Sequence, residues 1–175
     1  EFTRLTRGRA LVGANVGFHT VWMAAHFAHV LAVEATPGTY QLLVKNVTEH
    51  GLRDRVTCLE GIAYDGPQTM RLARGDELGW PVPTDLNQTP NASSLAYLPD
   101  PTGTLTTLVL DAHVPPDVLV ALIKTDAQGC DERVLRGLAQ TIARCRPLIV
   151  CEYEGIAHRH GESADSLASL AVLLD

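Results

Sequence analysis

Apolar runs a few residues long alternate with stretches of helical periodicity over most of this chain. Ala10, Leu11 and Val12 suit a short buried parallel strand. Gly13-Ala14-Asn15-Val16-Gly17 then supplies residues that tolerate unusual backbone angles just where a helix must start. Phe18, Val21, Trp22, Ala25 and Ala28 recur at helical spacing and predict the face that packs on a sheet. His29 to Val33 reads as a second strand that delivers Glu34 at its carboxyl end. Thr36-Pro37-Gly38 is a turn with Pro near a helix start, and Tyr40, Leu43, Val44 and Val47 mark the buried face of a helix ending near Gly51. Arg55 to Glu60 is a third strand, running into the loop Gly61-Ile62-Ala63-Tyr64-Asp65-Gly66.

From Pro67 to Pro101 the periodicity is lost among Pro, Asn, Ser and Thr. Gln68–Leu72, Ser94–Leu98 and Thr106–Asp111 read as short strands, and residues at about 67–105 as an insertion over the binding face or a solvent-facing excursion. Regularity returns with Val118 to Thr125, an apolar run suited to a central parallel strand. A single helix is expected next, with Val134, Leu135, Leu138, Ala139, Ile142 and Cys145 on one face. Pro147 to Tyr153 reads as a buried strand ending at Glu152 and Glu154, and Ser163 to Leu174 as a helix capped by Ser163. The alternation predicts an α/β fold, a mostly parallel doubly wound sheet with helices on both faces. Residues 1–9 read as a lead-in or tag remnant and 10–175 as a single domain.

Strand, glycine turn, helix and strand from Ala10 to Glu34 make one nucleotide-binding βαβ unit. In such sheets a ligand sits outside the carboxyl ends of the strands, and an acid about 20 residues past the turn holds two ribose hydroxyls. Glu34 falls in that window. The turn is G-x-N-x-G, which departs from the dinucleotide fingerprint G-x-G-x-x-G in its middle residue and its last spacing. A pyrophosphate needs close approach by bare backbone, whereas S-adenosylmethionine has no phosphate and tolerates a side chain such as Asn15. The alternative is a glycine turn that serves packing alone.

Charge and composition narrow the field. A formal charge of −6 and the absence of any Lys/Arg run argue against a nucleic-acid surface. No apolar run is long enough to cross a membrane, Val118 to Ile123 being far too short, and no signal peptide is present. The four cysteines form no C-x-x-C pair, so neither zinc nor a disulfide framework is indicated, and reduced cytoplasmic thiols are the plain reading. The chain opens on Glu1 rather than Met, which reads as a trimmed chain or a fragment.

VGANVGFHT followed by LAVEATPGTYQLLVKN, then TTLVLDAHVPPDVLVALIKTDAQGCDERVLRGL, and last RPLIVCEYE, together resemble the FkbM family of S-adenosylmethionine-dependent methyltransferases. The most specific part is Lys124-x-Asp126-x-x-Gly129 with Val134-Leu135-x-Gly137, similar to the family's I-K-x-D-x-x-G-x-E-x-x-V-L-x-G signature. The resemblance implies a Rossmann-like class I methyltransferase domain. It places S-adenosyl-L-methionine against Gly13, Ala14, Asn15, Gly17 and Glu34, and the strand ends that converge on the same edge add Ala35, Ile62, Ala63 and Asp126 as candidate cofactor contacts. The reaction implied is methyl transfer to a hydroxyl of a small natural product or sugar. Three departures stand out: Leu11 replaces the family's acid two residues before the first glycine, Asp131 replaces the signature Glu, and the chain ends before the family's closing antiparallel hairpin.

A sulfonium brings its own activated methyl group, so the protein mainly positions the acceptor and manages one proton. Asp126, at the end of its strand, could take that proton or bind the cofactor's amino group in place of an acid at Leu11, and the second role is favoured. Lys124 lies two residues earlier on the same strand face and could pair with Asp126 or Glu152, for catalysis or simply to satisfy itself. His19, in the first turn after Gly17, and His113, on a loop, are candidate bases. His158-Arg159-His160 lacks a carboxylate at ligand spacing, so no metal is assigned. Asn91, Ala92, Ser93 and Ser94 resemble the family's small polar stretch at the active-site mouth, or are turn residues. The leading reading is a cytoplasmic O-methyltransferase acting on a small hydroxylated acceptor, with no nucleic-acid or membrane partner. An inactive scaffold of the same fold and an NAD-dependent oxidoreductase are the alternatives, the second disfavoured by the altered fingerprint and the lack of a Tyr-x-x-x-Lys pair.

Overall fold

The computed structural model describes residues 9–67, 69–74, 79–83, 99–127 and 130–151, with side chains described for 13–67, 69–70, 105–127 and 130–151. Outside them lie the Leu11 side chain, Asn91 to Ser94, the expected strand Ser94–Leu98, Gln128 and Gly129. So do Glu152, Glu154, His158-Arg159-His160 and the expected helix Ser163–Leu174.

The chain opens with β1 (Arg9–Gly13), α1 (Phe18–His26), β2 (His29–Glu34), α2 (Pro37–Glu49) and β3 (Val56–Glu60). Later come β8 (Val120–Thr125), α3 (Asp131–Arg136), α4 (Ala139–Cys145) and β9 (Leu148–Cys151). The five strands form one sheet in the order β3-β2-β1-β8-β9, every pair parallel. Strand β2 shows why helices must cover both faces. Its Val30 and Ala32 join a core with Met23, Ala24 and Phe27 of the α1 segment and Leu43 and Val47 of α2. Its Leu31 and Val33 point the other way, into a core with Val134, Leu135, Leu138 and Ile142. Each Val, Leu, Ile, Met or Phe side chain among them contributes about 1.5–3 kcal/mol when fully removed from water.

Three expectations need correction. Helix α1 does not bury the Phe18, Val21, Trp22, Ala25, Ala28 stripe: Phe18 is 79% and Trp22 56% exposed, while Thr20, Met23 and Ala24 are buried. Thr20, Met23, Ala24 and Phe27 have the same i, i+3, i+4, i+7 spacing, so two stripes compete and packing on the sheet decides between them. Gly17, just before the helix, has φ 94°, and a Cβ there would lie 2.8 Å from Leu43 Cδ1. The single helix expected from Asp131 to Cys145 is two, interrupted at Gly137 and Leu138. Gly137 is where the Tyr64 carbonyl presses too close for any side chain, and the Asp111 carboxylate caps the restart, accepting from the N–H groups of Gln140 and Thr141 at 2.9 Å each. Strand β9 is the outermost described strand of its sheet rather than a buried one, with Leu148 59% and Val150 50% exposed.

The segment without periodicity contributes β5 (Thr69–Arg74), β6 (Gly79–Pro83) and the start of β7 (Pro99–Leu108) to a second sheet. With β4 (Ile62–Ala63) the order is β4-β7-β5-β6, antiparallel except where β4 meets β7. The strand expected at Thr106–Asp111 instead closes β7 at Leu108, and a 3-10 turn follows at Leu110–His113. Strand β6 carries Pro81 and Pro83, residues that mask a strand from sequence yet are compatible with its place at the sheet edge.

Candidate active site

Because β1 lies between β2 and β8, the residues that follow these three strands share one edge of the sheet, with Gly13 between Glu34 and Asp126. A cavity of about 340 Å³ opens there. Gly13, Ala14 and Asn15 from the β1–α1 turn line it, with Glu34 and Ala35 after β2 and Ile62 and Ala63 of β4. Lys124 and Asp126 at the end of β8, and His19 in α1, line it too. Gly17 is buried beneath the turn and is not part of the lining, and His113 is exposed elsewhere. Thr36, Thr39, Thr125 and Cys130 also line the cavity. No pattern in the sequence marks them, since single hydroxyls and a lone thiol become site residues only through packing.

The turn is closed by its own bonds. Ala14 N–H donates to the Val33 carbonyl at 2.8 Å, Gly17 N–H to the Ala14 carbonyl at 2.9 Å, and Val16 N–H to Asn15 Oδ1 at 2.7 Å. Asn15 takes φ 46°, a conformation in which its own amide can reach back to the chain. Asn46 Nδ2 on α2 donates to the Val16 carbonyl at 2.7 Å and ties the turn down. Three of the N–H groups that could cradle a pyrophosphate are therefore spent inside the protein.

Two carboxylates dominate the cavity. Glu34 Oε1 accepts from Thr36 N–H at 2.8 Å, which fixes its direction, and the Glu34 carbonyl accepts from Gly61 N–H at 3.0 Å. Asp126 Oδ2 accepts from Lys124 Nζ at 3.2 Å, with the lysine side chain 14% and the aspartate 40% exposed. Asp131 stands behind this pair, 6% exposed. Its Oδ1 accepts from Thr125 Oγ1 at 2.7 Å and Ala127 N–H at 3.0 Å. Further along α3, Arg133 Nη1 pairs with Asp65 Oδ2 at 2.8 Å and its guanidinium lies 5.5 Å from the centroid of the Tyr64 ring, which fastens the loop beside Ile62 and Ala63. Among the described residues no three His, Cys, Asp or Glu gather as a metal site.

Behind the sheet, burial pushes the Cys58 thiol up. Burial also raises the Tyr40 hydroxyl, with Cys58 and Glu60 adding to it, and that hydroxyl donates to the Cys58 carbonyl at 3.5 Å.

A parallel β3-β2-β1-β8-β9 sheet with an acid ending β2 and a closed glycine turn after β1 is a Rossmann-like fold of the class I methyltransferase kind. Residues 12–171 match the methyltransferase FkbM domain, and the chain belongs to that family. Among solved structures it is similar to a methyltransferase FkbM from Methylobacillus flagellatus KT, with 15% identity and a TM-score of 0.60 over 97% of this chain and 36% of that one. It is also similar to an O-methyltransferase from Bacillus cereus in complex with SAH, with 12% identity and a TM-score of 0.52 over 97% of this chain and 61% of that one. A third is the O-methyltransferase TomG from Streptomyces achromogenes, involved in tomaymycin synthesis and in complex with SAM, with 11% identity and a TM-score of 0.53 over 97% of this chain and 60% of that one. The chain thus spans about a third of the length of the first and three fifths of the other two. None of the curated proteins matches it.

Proposed function

We propose that this chain binds S-adenosyl-L-methionine in the cavity and transfers its methyl group to a hydroxyl of a small molecule, a natural product or sugar. The observation that carries the reading is the cavity's supply of acceptors over donors: two carboxylates flank Gly13, and the turn beneath has spent its Ala14, Val16 and Gly17 N–H groups on the protein itself. That supply suits a ligand with ribose hydroxyls, an ammonium and a sulfonium, and offers little to a pyrophosphate. Family membership supports the same choice over the nicotinamide reading.

In this reading Glu34, steadied by the Thr36 N–H, accepts from the ribose hydroxyls. Ile62 and Ala63 wall the adenine side. Asp126 accepts from the amino group at the methionine end, and Lys124 balances its charge. The cofactor supplies an electrophilic methyl on a good leaving group. His19, which is exposed and also lines the cavity, accepts the acceptor's proton as its oxygen attacks. Residues 10–175 then act as one methyltransferase domain, with the second sheet flanking the cavity through β4. No disulfide joins the cysteines among the described residues, in keeping with the cytoplasmic location proposed. No helix among the described residues is long and apolar enough to cross a membrane.

Calorimetric titration with S-adenosylhomocysteine, with NAD as control, tests the reading. The parent chain should bind adenosylhomocysteine and not NAD, and Glu34→Ala should weaken binding by about 10-fold or more, the loss of hydrogen bonds to a charged acceptor. Absence of binding by the parent would favour the inactive-scaffold reading.

A further inference from the structure

We propose that the methyl acceptor is a phenolic hydroxyl, carried on a flat aromatic ring that packs against Phe18 at the mouth of the cavity. The inference rests on the methyltransferase reading above and names the acceptor class for that same site. Val16, Phe18 and His19 line the cavity where the glycine turn passes into α1. Phe18 is 79% exposed and Val16 38%, so the fold leaves both apolar side chains in water at the entrance. Trp22, one helical turn beyond Phe18 and also exposed, continues the apolar surface outside the cavity. The Phe18 and His19 rings meet edge to face, with centroids 5.5 Å apart. A ring laid on Phe18 can therefore present its hydroxyl to the imidazole that takes the proton.

Two features select an aromatic acceptor over a sugar. A sugar leaves water cheaply only if each of its hydroxyls finds a partner. On the α1 side of the mouth the lining offers Val16, Phe18 and one imidazole, while Asn15 Oδ1 already accepts from the Val16 N–H. An aromatic ring with one hydroxyl needs a single polar partner and gains by covering Phe18. Acidity points the same way. A phenol ionises near pH ~10, as tyrosine does, and an alkyl alcohol far higher, so an imidazole base suits the phenol better. In the transfer the phenolic oxygen bonds the methyl carbon, the methyl–sulfur bond breaks with its electron pair left on sulfur, and the phenolic proton passes to His19. Phe18 is then a specificity-determining residue that touches the acceptor.

Calorimetry on the full chain saturated with adenosylhomocysteine tests this, with 2-naphthol as the aromatic probe and methyl glucoside as the sugar probe. 2-Naphthol should bind and methyl glucoside should not. Phe18→Ala should weaken 2-naphthol by about 10-fold, and Phe18→Tyr, which keeps the ring, by less than about 2-fold. Adenosylhomocysteine affinity should stay at the parent's value in both. Leu148→Ala removes an exposed apolar side chain on β9 and should leave 2-naphthol binding unchanged, which controls for unspecific adsorption. In turnover with S-adenosylmethionine, Phe18→Ala should raise the KM for 2-naphthol, whereas His19→Gln should lower kcat. Preference for methyl glucoside, no binding of 2-naphthol by a chain that binds adenosylhomocysteine, or an affinity indifferent to Phe18→Ala each overturns the inference and leaves the cofactor reading standing. A parent chain that binds no adenosylhomocysteine removes the cofactor reading and this inference with it.

Discussion

Thr20 shows how a single polar atom reports on packing. It lies on the buried face of α1 at 0% exposure, and its Oγ1 has no hydrogen-bond partner among the described residues. An unpaired buried hydroxyl carries a desolvation penalty with no compensating bond. Thr20→Val keeps the branched shape and removes the hydroxyl, so it should stabilise the chain by about 1 kcal/mol, read as a higher urea midpoint at unchanged slope. At the same scale, Gly13, Glu34 and Asp126 were legible from sequence because each sits at a strand end marked by a glycine or a change from apolar to acidic. Thr36 and Thr125, which line the cavity, were not legible from sequence, and Asp131 was marked only as a signature position. What the threonines meet, the Glu34 carboxylate for the Thr36 N–H and the Asp131 carboxylate for the Thr125 hydroxyl, is not announced by a lone polar residue beside a strand.

Among the elements, α1 and the broken α3–α4 pair illustrate what periodicity leaves open. Both stripes of α1 satisfy the same spacing, and only the sheet beneath decides between them. The stability cost of truncation should follow the observed face. Met23→Ala, at a site 5% exposed, should cost about 2–5 kcal/mol, whereas Trp22→Ala, at 56% exposed and stacked on His26, should cost less than about 1 kcal/mol. Chemical denaturation of the two variants checks this, and the reverse order would restore the face anticipated from the apolar spacing. From Asp131 to Cys145 most of the expected apolar face is buried, at Val134, Leu135, Leu138, Ile142 and Cys145, with Ala139 half-buried. What periodicity could not register was the Tyr64 carbonyl pressing on Gly137, a contact 73 positions away in sequence order (137 − 64).

For the whole molecule, the Cys58 thiol and Tyr40 hydroxyl make stability depend on alkaline pH. Both are held above their ordinary values in the fold, mainly by burial, so the folded chain keeps these protons more tightly than the unfolded chain. Their contribution is complete below the ordinary thiol range, near pH ~8.5, and is lost as pH rises through the higher folded values. Unfolding midpoints should be level from neutrality to about pH 8 and fall above it. Cys58→Ala should flatten the first part of that fall, leaving the part due to Tyr40. A midpoint that fell identically in the variant would place the sensitivity elsewhere.

By itself the sequence determined the α/β class, the family, the glycine turn after β1 and the acids Glu34 and Asp126 at the ends of β2 and β8. These depend on local period, turn residues and short motifs, all of which are written within a few positions of one another. Only the tertiary structure decided which stripe of α1 faces the sheet, where the helix after Asp131 breaks, how the proline-bearing β6 pairs, and that the Asp131 carboxylate bonds Thr125 and Ala127. Each of those depends on a neighbour distant in the chain or on the competition between two equally good local patterns. Such choices are settled by shape and hydrogen-bond satisfaction once the layers are packed.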